Sequence, residues 1–197
     1  MTLDGSARLD GDNVRVGAAY EQARGEERHR VAALKRPRRV QLSETLSLVF
    51  ENRDTIRSTL EEALRTERID DPERVAAEIA AFNAVVPEPG QLAGVLFLEV
   101  ADPADLSAVA SDLEGIERAI SIEVGGSRVL GITEAVSPPG ESVAAHYLHF
   151  ALERGQRDAI IAGAPIAVGV EHPHLTVTVP LDEDQQAALA GDLTGPG

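Results

Sequence analysis

A chain of 197 residues, 43% hydrophobic and 26% charged, is long enough to bury a core as one domain or two docked ones, which excludes disorder as its overall state. It has no cysteine, so disulfides, thiolate-held iron–sulfur clusters, zinc ribbons and thiol nucleophiles are excluded, and any chemistry must rest on oxygen and imidazole. The net charge of −15 is uneven: 14 basic residues face 16 acidic ones up to Val85, but only 4 face 17 from Val86 onward, so the C-terminal part repels nucleic acid.

Residues 1–17 are rich in Asp and Gly without apolar periodicity and read as a mobile arm. Ala18–Lys35 reads as a helix with a thin stripe of Tyr20, Ala23, Val31 and Leu34, stopped by Pro37. Between Arg39 and Phe50 the apolar residues Val40, Leu42, Leu46, Leu48 and Phe50 fall on even positions, as in a strand pair. Asn52 or Asp54 caps the next helix, with Ile56, Leu60 and Leu64 on its buried face. Asp71-Pro72 opens a second helix that carries Val75, Ile79, Phe82 and Val86 inward and ends at Pro87, giving a helical hairpin.

Past Pro87-Glu88-Pro89-Gly90 the texture changes. The expected division is therefore an arm (1–17), a helical N-terminal segment (18–86) and a sheet domain (91–197). Leu92–Val100 reads as a strand and Asp102-Pro103 opens a helix; Ile116–Val124 and Arg128–Thr133 then form strands joined at Gly125-Gly126. The same order returns about 50 residues later: strand Ser142–Phe150, helix Glu153–Ala162, strands Ile166–Glu171 and Leu175–Val179. A last helix follows Asp182 and ends near Gly191. The expected class is α+β: the helical segment packed on one mixed, mostly antiparallel sheet built from two βαββ units, with self-association through sheet or helix surfaces.

The acidic, polar start Met1–Ser6 lacks the order of a secretory signal, and the apolar run Ala159–Val170 is broken by Pro165 and short of the roughly 20 residues that span a bilayer. A cytoplasmic chain without a membrane segment is expected. Lys35 is the one lysine beside 17 arginines, a bias shared by GC-rich genomes and by salt-adapted surfaces.

The strings Lys35-Arg36-Pro37-Arg38-Arg39-Val40, Leu48-Val49-Phe50-Glu51-Asn52-Arg53-Asp54-Thr55 and Glu62–Ile69 resemble an uncharacterised prokaryotic family, domain of unknown function 3501. The likeness continues through Phe82-Asn83, Ala145-His146-Tyr147-Leu148 and Glu171-His172-Pro173, spanning about Tyr20 to Leu193. The family has no established reaction. The resemblance implies a redox or peroxide-stress setting, with rubrerythrin-like or iron–sulfur proteins as partners. Glu171 departs from the family's Asp, and Leu175 stands near where a Tyr is expected.

Three clusters can carry chemistry. On a strand His146 and His149 point to opposite faces, whereas His172 and His174 share one. If the strands of His146 and His172 are parallel neighbours, these two imidazoles with Glu51, and His174 nearby, make a two-His, one-carboxylate site for a divalent metal such as iron, manganese or zinc. The alternative is a turn at His172-Pro173 and a hydrogen-bonded His146. In the second cluster Glu51, Arg53 and Asp54 offer a base beside an anion-binding guanidinium, or else an ordinary helix cap. In the third, Arg28, Arg30, Lys35, Arg36, Arg38 and Arg39 can hold a polyanion, the chain's own carboxylates or a sister subunit. No aromatic interleaves this run, and nucleic acid is not the expected partner.

Gly140-Glu141-Ser142-Val143-Ala144 has the outline of a nucleophile elbow but lacks the strand before and the helix after it. The leading expectation is an accessory or interaction protein with no catalysis assigned. The second is a metal-dependent oxidoreductase or metal-binding protein using His146, His172 and a carboxylate.

Overall fold

Local rules place the elements. The computed structural model describes residues 8–133 and 144–194. Helix α1 (Gly17–Lys35) passes through a 3₁₀ turn, Arg36–Arg38, into the hairpin β1 (Arg39–Gln41) and β2 (Leu46–Glu51). At Asn52 the chain turns into α2 (Arg53–Thr66) through a capping box: the Asn52 side-chain Oδ1 accepts from the Thr55 N–H, and the Thr55 hydroxyl accepts from the Asn52 N–H. The end of α2 is a Schellman turn, in which the Ile69 N–H reaches the Leu64 carbonyl and the Arg68 N–H the Arg65 carbonyl. Arg68 stands there at φ 55°, the one non-glycine positive φ among the described residues. Asp71 then caps α3 (Pro72–Asn83), whose first residue is the proline that favours that position.

The rest of the chain is β3 (Gln91–Leu98), α4 (Leu106–Asp112), β4 (Ile120–Val124), β5 (Ser127–Leu130), β6 (Ile132–Thr133), β7 (Ala145–Ala151), α5 (Arg154–Ile161), β8 (Ile166–His172), β9 (Leu175–Pro180) and α6 (Glu183–Thr194). The expected elbow at 140–143, the start of the strand expected at Ser142 and the first seven residues of the arm lie outside the described residues. No helix of the described residues is long and apolar enough to cross a membrane.

The α+β class and the two βαββ units are present, β3-α4-β4-β5 and β7-α5-β8-β9. Their strands divide between two sheets, however, where one was expected: β1-β2-β3-β7-β6 and β5-β4-β8-β9, with every pairing antiparallel. The first strands of the two units pair with each other in one sheet and their second strands in the other. Each helix thus carries its chain across from sheet to sheet, and the apolar faces close on one another, as in a sandwich. Leu46, Leu48, Phe50, Leu96, Leu148 and Phe150 of the first sheet meet Ile120, Ile122, Val168 and Val170 of the second, with the Phe50 and Phe150 ring centroids 6.1 Å apart. At Gly131 the chain leaves the second sheet for the first; a β-carbon there would come within 3.1 Å of the Phe150 ring.

The other face of the first sheet lies under α1 and α2, which is why all six residues of β2 are buried. A second core forms there from Ile56, Leu60, Leu64, Val75, Ile79 and Phe82, with Leu9 and Val14 from the arm. Residues 8–17 are therefore docked, contrary to the mobile arm expected: Asn83 exchanges two hydrogen bonds with the Leu9 backbone, at 2.7 and 2.8 Å, and Arg15 grips Glu61. The boundary expected at 87–90 also falls inside a hydrogen-bonded sheet, because β2 and β3 pair along six residues across it. What separates there is the α2–α3 core from the sheets, and the β1–β2 hairpin belongs with the sheets.

Candidate binding pocket at the head of helix α2

Alternation along the strands separates the residues expected to share a metal. In the register Leu48–Leu96–His146, His146 lies on the sandwich side of the first sheet, whereas Glu51–Ala93–His149 is a row on the helix-covered side. His172 belongs to β8 in the second sheet, not to a parallel neighbour of β7, and its Nε2 lies 3.1 Å from the Glu114 carbonyl. His174 stacks edge-on against His172, centroids 5.7 Å apart. His146 instead lines a separate cavity with Leu98, Leu113, Glu114 and Arg118. His149 is buried, with Nε2 3.1 Å from the Val85 carbonyl oxygen. His146, His172 and Glu51 are not brought together, and among the described residues no group of three or more His, Asp or Glu side chains is placed to hold a metal ion.

The basic run is absorbed mostly by the chain's own acids. Lys35 reaches Glu51 at 2.8 Å, Arg38 holds Asp192 at 2.7 Å, Arg39 pairs with Glu99, and Arg30 bridges Glu27 and Asp54. Arg28 and Arg36 are exposed, with no ion pair among the described residues.

Of the two roles expected of the Glu51–Asp54 string, the helix cap is present. Asn52 caps α2, and its amide N–H also donates to Asp192 at 2.8 Å, pinning the C-terminal turn of α6 to the head of α2. That arrangement leaves a pocket of about 330 Å³ lined by Glu51, Arg53, the turn at 87–90, Leu92, Arg157 and Asp192. Gly90 sits at φ +86° with Arg157 lying over it, 3.6 Å from where a β-carbon would stand.

Two of the lining residues each carry a buried polar atom without a hydrogen-bond partner. Glu51 is only 6% exposed, and while its Oε1 receives Lys35, its buried Oε2 has no hydrogen-bond partner. The buried Nε of Arg53 has none either; its other end touches the Arg8 carbonyl oxygen at 3.4 Å. No carboxylate of the described residues pairs with Arg53, although Asp54 beside it is engaged by Arg30 at 2.9 Å and Arg57 at 3.5 Å. Leaving such a group unmet costs about 1–3 kcal/mol.

Behind the pocket runs a buried ionic network that periodicity did not reveal. Glu27 takes an inward position on α1 between Ala23 and Val31 of the thin stripe; it accepts from Arg30 at 2.7 Å and pairs with Arg15 at 3.1 Å and Arg57 at 3.5 Å. The hydrogen bonds from Arg30, opposed by burial and reinforced by Arg15, hold the Glu27 carboxyl at about 2. The carboxylates in turn raise the Arg15 and Arg30 guanidiniums above their ordinary value. Burial, with Glu62 adding to it, pushes Tyr20 up to about 12. Arg157 and Asp192 were also missed, since each lies more than 100 residues from Glu51 and carries no local signal.

A family model described as "Protein of unknown function (DUF3501)" matches residues 9–193. A crystal structure of a novel protein of unknown function from Burkholderia pseudomallei K96243 is 32% identical, superposes with a TM-score of 0.87, and the match covers 94% of this chain and 98% of that one. No curated protein matches the sequence.

Proposed function

The chain belongs to the DUF3501 family, for which no activity is assigned, and from that premise and the chemistry of the pocket we propose that it binds a small carboxylic acid bearing an adjacent amino or hydroxyl donor. The observation that carries this reading is that two residues lining one cavity each hold a buried atom without a partner: Arg53 Nε lacks an acceptor and Glu51 Oε2 lacks a donor. A carboxylate meets the guanidinium, and the ligand's own N–H or O–H meets the carboxylate. A doubly charged phosphate suits the site less well, because Glu51 would repel the second charge. The pocket's size agrees with a compact metabolite, and Pro87, Pro89 and Leu92 supply apolar wall for a short side chain.

The test is a panel of amino acids, C2–C6 hydroxy acids and inorganic phosphate, screened by thermal shift and followed by calorimetry. Binding by members of the first two groups, lost in Arg53→Ala and weakened at least tenfold in Glu51→Gln, is the expected result. Saturable binding that survives both substitutions overturns the reading, as does a panel that gives no shift.

A further inference from the structure

We infer that the outer edge of β9 is a dimerisation strand, and that a second copy of this chain pairs with it antiparallel to make one continuous eight-stranded sheet. The sheets have four edge strands, β1 and β6 in one and β5 and β9 in the other. Three are blunted in the usual ways: β1 has three residues including Arg39, β6 has two, and β5 has four with Arg128 among them. The β9 edge has six residues, Leu-Thr-Val-Thr-Val-Pro, with no charge and four β-branched side chains in a row. It is the longest and least protected edge of a chain whose net charge is −15.

The direction of its backbone groups follows from one bond. The Leu181 N–H donates to the Ile166 carbonyl oxygen of β8, so odd-numbered residues turn their N–H and C=O toward β8 and even-numbered ones turn theirs outward. Thr176 and Thr178 therefore present two N–H and two C=O groups to the open edge, and among the described residues no backbone group meets them. Pro180, which has no N–H, falls on the same outward parity, where a strand loses nothing by it.

A second copy completes these groups better than other strands do. With a two-fold axis through Val177, Thr176 of each copy faces Thr178 of the other, and each such pair exchanges two hydrogen bonds, so every outward N–H and C=O of the threonines is used. Moving the axis to Thr178 would set Thr176 against Pro180, leaving a carbonyl without a donor.

Sedimentation equilibrium of the full chain tests this, with two variants. Wild type is expected to dimerise, and Thr178→Pro, which deletes an outward N–H and spares the β8 ladder, to sediment as a monomer with a native circular dichroism spectrum. Because the chain has no cysteine, Val177→Cys introduces a single thiol facing its own copy across the axis, and air oxidation should give a disulfide-linked dimer on a non-reducing gel. A wild-type chain that stays monomeric at about 100 μM overturns the inference. So does a dimer that persists in Thr178→Pro without cross-linking in Val177→Cys.

Discussion

Replacing Glu27 with Gln isolates the electrostatic part of the N-terminal packing. The side chain is 7% exposed and is contacted by the guanidiniums of Arg30, Arg15 and Arg57. Its carboxyl is lowered from 4.5 to about 2. A depressed carboxyl stabilises the folded state fully above its unfolded value, and that contribution disappears as pH falls from about 4.5 toward 2. Carried through linkage, the shift corresponds to about 3 kcal/mol at neutral pH, and the glutamine variant, which keeps the volume, should forfeit about 2–3 kcal/mol because the half-exposed arginines regain water. Urea denaturation of both proteins at pH 7 and pH 3 measures it: the gap between them should shrink by at least about half at pH 3. A gap of equal size at both pH values would mean that Glu27 acts by shape and hydrogen bonding alone, and the electrostatic reasoning would be wrong.

Three further outcomes follow from other parts of the molecule. Asn52→Ala removes the α2 cap together with the tie to Asp192 and should lower stability by about 2 kcal/mol, read from thermal melts. Phe150→Ala opens a cavity where the two sheets meet and should cost about 3–5 kcal/mol by urea titration. Arg68→Gly relieves the left-handed backbone at the end of α2 and should gain about 0.5–1 kcal/mol, a rise in melting temperature that a general surface effect would not give at neighbouring Glu67.

Much of the architecture was legible because it is written locally. The 3.6-residue stripe of α2, the Asp71-Pro72 start of α3 and the Gly125-Gly126 hairpin each depend on residues a few positions apart, and all three are found where those rules put them. So was the repeat of strand, helix, strand, strand. The thin stripe on α1 was a true signal of a different kind: Glu27 occupies the missing apolar position because arginines from the arm and from α2 neutralise it there. The candidate site was half visible. Glu51 and Arg53 stand in the string that also makes the cap, but Arg157 and Asp192 reach the pocket only through the packing of α5 and α6.

By itself the sequence determined which residues are strand or helix, the caps and turns between them, and the alternation that sends neighbouring side chains to opposite faces. Only the tertiary structure decided that β7 and β8 lie in different sheets, which parts His146 from His172, and that α6 is tied to the head of α2, which encloses Glu51 and Arg53. The reason is the range of the forces: hydrogen-bonded turns and side-chain periodicity act over a few residues. Which apolar face closes on which is settled by burial shared across the whole chain, and no local spacing records it.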